Sequence, residues 1–210
     1  MAMTNSDQAR APRGTVKLEQ IMQAAKRLFL EHGVATTTMD AVAREAGVSK
    51  ATLYSYFRSR DELFGAVVEA LDDRFTASLI SGVSGSEDLR VKLLRFGRTV
   101  LELLLHPETI SAYRTVVAEA ARFPELGEVF YANGACRLLD RLERFFASAM
   151  ESGLLRPAHP RRAAEQFVGL VRGDLMLRAL LGISRSADAA EIDAIVASGV
   201  DTFCRAYLAA

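Results

Sequence analysis

Lys50, Thr52, Tyr54, Ser55 and Tyr56 fall within one short stretch, with Ser49 just before them and Arg60 just after. An ammonium, a guanidinium and a row of hydroxyls can donate to phosphate oxygens, and lysine, threonine and serine also reach base edges in a major groove. That chemistry is recognition rather than catalysis. Leu53 and Phe57, four apart, make the other side of the same segment apolar, so the polar groups share the outer face of a short helix with Ala51. The alternative is an ordinary helical hairpin whose polar face is solvated.

Groups that could do covalent chemistry are scattered. No GxGxxG, P-loop, HExxH or GxSxG string occurs. His32, His106 and His159 each stand beside Gly or Pro at the end of an expected helix, which suits exposed helix-terminal residues better than bases or metal ligands. Cys136 and Cys204 show neither CxxC nor His-paired spacing and read as reduced core or interface residues. The expectation is no catalytic residue, no metal and no cofactor.

The elements that must position the polar face are local and well punctuated. Thr37 or Thr38 can cap a helix whose first turn carries Asp40 and whose Met39, Val42, Ala43 and Ala46 fall at i, i+3, i+4 and i+7. Gly47 then leaves that helix, with positive φ expected, Val48 plugs the corner, and Ser49 caps the next helix. This is a helix-turn-helix. Upstream, Thr15 to His32 predicts a helix with Leu18, Ile21, Met22, Ala25, Leu28 and Phe29 on one side and Gly33 closing it. Downstream, Ser59 caps a helix running through Leu63, Phe64, Val67, Val68, Leu71 and Phe75 to about Ile80. Residues 1–13 read as a mobile tail whose Arg10 and Arg13, with Lys17, could enter a minor groove.

Charge follows the same division. The 210-residue chain has zero net charge overall, yet residues 1–60 hold nine Lys/Arg against five Asp/Glu, and the remainder seventeen against twenty-one. A basic head on an acidic body suits one end that faces DNA. No apolar run approaches the ~20 residues that span a bilayer, and a cytoplasmic protein is expected.

The string AGVSKATLYSYFRSRDELF resembles the DNA-binding signature of the TetR family of bacterial one-component regulators, typically AGVSxGTLYxYFxSKxxL. The likeness extends over residues 15 to about 64, with Ala51 at a common glycine and Arg60 at a common lysine. It implies that Thr38, Tyr54, Tyr56 and Arg60 hold the DNA backbone, that Lys50, Thr52 and Ser55 read bases, that Ala51 meets a thymine methyl, and that Ser49 opens the recognition helix. Asp40 stands where some members carry a cation, and cannot contact a phosphate favourably. FPELGEVFYANG and AAEQFVGLVRGDLMLRALLG are similar to the AefR-like group of C-terminal domains, which brings an association with efflux, membrane transport or quorum-linked genes.

Beyond the break at Ser81 to Ser86 the pattern is helical throughout. Helices are expected over 89–106, from Pro107 to the Arg122-Phe123-Pro124 corner, over 124–152, over 160–181 and over 187–208. The expected architecture is all-α, about nine helices, with a tail over 1–14, a DNA-binding head over 15–60 and a ligand-binding and dimerisation body over 61–210. Gly169-x-x-x-Gly173 would let another helix come close, and the resemblance implies a homodimer formed through the last two long helices. Phe96, Val100, Val117, Phe130 and Phe167 could line a ligand cavity, although apolar stripes also build cores; Tyr113, Asn133, Arg137 and Asp174 are the polar candidates, with Arg98, Arg114 and Arg172 nearby in the pattern. An Asp174 buried among leucines would need a cationic partner. The resulting expectation is a repressor released from a palindromic operator by a small-molecule inducer. A ligand-unresponsive architectural DNA-binding protein and an activator are the other readings.

Overall fold

The computed structural model describes residues 13–81, 88–183 and 188–209; the expectations for residues 1–12 of the tail and for the loop over 82–86 fall outside them, whereas Arg13 and Gly14, expected in the tail, belong to the first helix. Eleven helices are formed among the described residues: α1 (Arg13–His32), α2 (Met39–Glu45), α3 (Lys50–Tyr56), α4 (Arg60–Ser81), α5 (Leu89–Leu105), α6 (Pro107–Glu119), α7 (Pro124–Asn133), α8 (Ala135–Glu151), α9 (Pro160–Arg172), α10 (Leu175–Leu180) and α11 (Ala189–Tyr207). The class is all-α. The chain divides into two compact units, Met1–Val67 and Val68–Ala210, so the division falls within α4, where the sequence placed it after residue 60.

In the first unit, Ile21, Ala25 and Phe29 of α1, Val42 of α2 and Leu53 of α3 are buried together with Leu63 and Phe64. Phe29 and Phe64 meet edge to face at 5.6 Å. Leu18, expected on the buried side of α1, is instead 36% exposed, because the apolar stripe that does the packing starts one turn later at Ile21. Gly33 leaves α1 with φ 86°, and Thr37 is buried with its hydroxyl donating to the Gly33 carbonyl at 2.7 Å. Those bonds fix the approach to α2.

The second unit is built on Phe146, Phe167 and Phe203, all fully buried, with ring centroids 5.0 to 5.6 Å apart. They come from α8, α9 and α11, and α5 closes the layer with Leu93, Phe96, Val100 and Leu101. An antiparallel bridge pairs Leu155 with Leu208, and Arg156 N–H donates to the Tyr207 carbonyl at 2.8 Å.

Two long helices expected from the sequence are each broken. The 124–152 segment divides at Gly134 into α7 and α8, and the 160–181 segment divides at Gly173, whose φ of 54° ends α9. An apolar periodicity continues across both breaks, so only the backbone reveals them. Close helix approach also occurs elsewhere than expected. A Cβ at Gly169 would meet nothing within 4 Å, whereas one at Gly199 would lie 2.8 Å from the backbone C and O of Leu170. Backbone cannot give way as a flexible side chain can. Gly199→Ala is therefore expected to destabilise the second unit by about 2 kcal/mol through overpacking. Denaturant titration reads this directly, and an unchanged midpoint would mean that α9 and α11 separate freely.

Candidate nucleic-acid interface and body cavity

The polar residues expected around α3 are exposed or half-buried. Thr38 is the N-cap of α2, its hydroxyl accepting from Ala41 N–H at 3.2 Å. Gly47 turns the corner with φ 65°, and Val48 N–H donates to the Ala43 carbonyl at 3.0 Å. Ser49 caps α3 by accepting from Thr52 N–H at 3.0 Å, and its hydroxyl also bonds that of Thr52 at 2.8 Å. Leu53 and Phe57 point inward, which leaves Ser49, Lys50, Ala51, Tyr54 and Ser55 exposed and Thr52 and Tyr56 half-buried. Ser55 Oγ donates to the Thr52 carbonyl at 2.7 Å, so reaching a base requires a rotamer change. The caps are the local determinants of α3. Ser49→Ala should lower the stability of the first unit by about 1 kcal/mol, measurable in thermal unfolding; no change would mean that packing of Leu53 alone sets the helix start.

Two cations are already engaged. Lys50 Nζ donates to Asp40 Oδ2 at 2.5 Å, linking the first residue of α3 to the first turn of α2. Both side chains are more than half exposed, so the pair is weak in water. Arg60 is only 27% exposed; its Nη1 donates to the Ala35 carbonyl at 2.7 Å and its Nε lies 3.4 Å from Asp61. It thus ties the start of α4 to the α1–α2 connection, and its remaining donors are what a phosphate could meet.

The second unit contains a partly open cavity of about 250 Å³. Leu103 and Leu104 of α5, Thr109, Ala112 and Tyr113 of α6, Phe130 of α7, Leu138 and Leu139 of α8, Glu165, Val168, Gly169 and Arg172 of α9, and Met176 of α10 line it, with Val68 and Leu71 of α4. The Tyr113 and Phe130 rings pack edge to face at 4.7 Å. Burial pushes the Tyr113 phenol above its usual range, with Arg172 acting in the opposite direction. Thr109 is 8% exposed, and its hydroxyl has no hydrogen-bond partner among the described residues.

Only Tyr113 and Phe130 of the nine residues proposed for a ligand site line this cavity. Phe96, Val100 and Phe167 belong to the core, with Phe96 against Phe145 at 4.8 Å. Val117 is 70% exposed. Asn133 donates to the carbonyl of Val129 within its own helix at 2.9 Å, and Arg137 pairs with Glu69 at 2.7 Å. Asp174 is exposed rather than buried, because the break at Gly173 swings it out of the apolar stripe, and Arg178 stands 4.0 Å away. Of the other arginines in the pattern, Arg98 bonds Glu102 and Asp193, Arg114 donates to the carbonyls of Leu180 and Ala179, and Arg172 reaches the cavity. The sequence missed Thr109. Its i, i+4 spacing with Tyr113 was the available signal.

The remaining reactive side chains sit as their flanking residues suggested. His106 caps α6, His32 ends α1 and His159 precedes α9, while Cys136 and Cys204 are free thiols. Among the described residues there is no cluster that could hold a metal ion, and no helix is long and apolar enough to cross a membrane.

Known proteins bear on both surfaces. Residues 21–67 match the profile described as bacterial regulatory proteins, tetR family, and residues 91–209 match that of the AefR-like transcriptional repressor, C-terminal domain. The Mycobacterium tuberculosis HTH-type transcriptional regulator MT1294 is 30% identical over 113 residues, covering 54% of this chain and 56% of that protein. The chain thus spans little more than half the length of this relative. Among solved structures, the Flavonoid-responsive Regulator FrrA superposes with a TM-score of 0.73 at 34% identity, covering 91% of this chain and 97% of that one. A TetR-family transcriptional regulator from Mesorhizobium loti superposes with a TM-score of 0.78 at 28% identity, over 94% and 99% of the two chains. These relatives are regulators and not enzymes. With one profile over the helix-turn-helix and the other over more than half of the chain, this protein belongs to the TetR family of bacterial transcriptional regulators and carries an AefR-like C-terminal domain.

Proposed function

We propose that the protein is a cytoplasmic homodimeric repressor that leaves a palindromic operator when a small molecule occupies the cavity of its second unit. The observation that carries this reading is the coexistence of an exposed, polar α3 face with a largely apolar cavity in the second unit. The first feature suits major-groove recognition and the second suits an organic effector. A regulator 34% identical to this chain is described as flavonoid-responsive, which supports an aromatic effector here too. Efflux or transport genes are the proposed targets, on the resemblance of the C-terminal domain to the AefR-like group.

Homodimerisation is supported by Leu177, Leu181 and Ile183, which are 59%, 65% and 71% exposed. Apolar surface of that kind on consecutive segments suits burial against a second copy. Two α3 helices related by a twofold axis would then meet successive major grooves. Release follows if the ligand binds a dimer with wrongly spaced α3 helices more tightly than the operator-bound one.

Selection of genomic fragments by the purified protein, at low and at near-physiological salt, tests the DNA half of this reading. A few fragments sharing an inverted repeat, retained at the higher salt, are expected, since contacts to phosphate alone fade steeply with salt. Diffuse recovery that vanishes at the higher salt would instead promote the architectural reading.

A further inference from the structure

We propose that Arg58 is a further DNA contact of the first unit, a guanidinium that grips a backbone phosphate beside the major groove entered by α3 and reads no sequence. The inference rests on the DNA-binding role of the helix-turn-helix and not on the repressor reading.

Availability is the first argument. Three cations lie between the start of α3 and the start of α4, and two of them already have partners: Lys50 bonds Asp40, and Arg60 bonds the Ala35 carbonyl and Asp61. Arg58 is the third. It is exposed, and its guanidinium has no hydrogen-bond or ion-pair partner among the described residues. All of its side-chain donors are therefore open, in a fork that matches two phosphate oxygens at once.

Position is the second. Phe57 N–H donates to the Leu53 carbonyl at 3.0 Å, so helical bonding runs through to the buried Phe57, and Arg58 follows it directly. Phe57 itself is extended, with φ −137° and ψ 122°, and turns the chain off the helix. Eight residues separate Arg58 from Lys50, on the order of 12 Å at the helical rise, comparable with the ~12 Å width of a major groove. A recognition helix presents its first residues to base edges. A cation just past its other end then stands at the edge of the groove, where phosphates run. The backbone there is also pinned. Arg58 N–H donates to Glu62 Oε2 at 2.7 Å, while Ser59 Oγ accepts from Glu62 N–H at 3.1 Å, a reciprocal cap at the corner between α3 and α4. Glu62 thus spends that oxygen on the backbone and leaves the guanidinium unpaired.

Fluorescence anisotropy of the full chain on a random duplex and on the selected operator, across a salt series, tests this. Arg58→Gln should weaken both by the same factor, roughly fivefold at near-physiological salt, and lower the slope of log affinity against log salt by about 0.9 for each protomer bound. Arg58→Lys keeps the charge and should keep the slope. Arg122→Gln removes the same charge from the exposed corner between α6 and α7 and should change neither quantity. Thermal unfolding should not respond to Arg58→Gln, because the bond to Glu62 uses the backbone N–H. An unchanged slope in Arg58→Gln, or an equal fall in Arg122→Gln, overturns the proposal. A loss confined to the operator overturns it too, since Arg58 would then read bases, and so does a fall in the melting temperature that Arg58→Lys does not restore, since its role would then be structural. The random-duplex arm needs no operator, so failure of the repressor reading leaves the Arg58 result standing.

Discussion

Lys50→Ala should weaken binding to the selected operator by as much as about 3 kcal/mol while changing binding to random duplex far less, because a lysine that meets guanine O6 and N7 discriminates by roughly 1–3 kcal/mol. The expected result follows from its position at the first turn of α3, exposed, with three donors of which Asp40 uses one. Asp40→Asn should act in the opposite sense on random DNA. Removing the carboxylate frees the ammonium for any nearby phosphate, tightens non-specific binding severalfold and steepens the salt dependence by about one released counterion. Fluorescence anisotropy across a salt series measures both. If Lys50→Ala costs the same on operator and on random duplex, Lys50 is a phosphate contact and sequence is read by Thr52 or Ser55 instead. If Asp40→Asn leaves the salt slope unchanged, the 2.5 Å pair has no part in DNA binding.

The second large effect concerns the body of the protein. Phe203→Ala is expected to destabilise it by about 3–5 kcal/mol, the usual cost of deleting a buried aromatic. Phe203 is fully buried, and its ring touches three others: Phe146 at 5.0 Å, Phe167 at 5.3 Å and Tyr207 at 4.6 Å. Removing it therefore withdraws support from α8, α9 and α11 together. At this size 1 kcal/mol corresponds to a shift of about 2–4 °C, so a fall of about 6–20 °C is expected in the calorimetric transition of the second unit. A fall below 3 °C would show that the neighbouring rings collapse into the space. Phe203→Leu should recover most of the loss, which separates cavity formation from any specific ring contact.

The first unit was legible because its determinants are neighbours in sequence. Thr38, Gly47 and Ser49 each act on groups within five residues, and those bonds form as the spacing implied. The intramolecular bonds of the two cations were not legible. Arg60, expected at a phosphate, reaches back twenty-five residues to the Ala35 carbonyl. Lys50, expected at base edges, bonds Asp40 and so joins two helices packed around the buried Ala43.

By itself the sequence determined the helical class, the helix-turn-helix with its caps, and the residues exposed on α3, because all of these follow from short-range periodicity and turn chemistry. Tertiary structure alone decided the rest. The breaks at Gly134 and Gly173 interrupt helices whose apolar pattern runs on without a gap, and Gly173 lies against Ile195 of α11, 3.1 Å from where its Cβ would stand. The cavity draws on seven helices, so whether a given Phe lines it or fills the core depends on where distant segments pack. Phe130 and Phe167 have the same composition-level signal and opposite fates, one at the cavity wall and one at the centre of the core. Periodicity reports which face of a helix is buried; only the assembled helices determine whether that face meets another side chain or an open space.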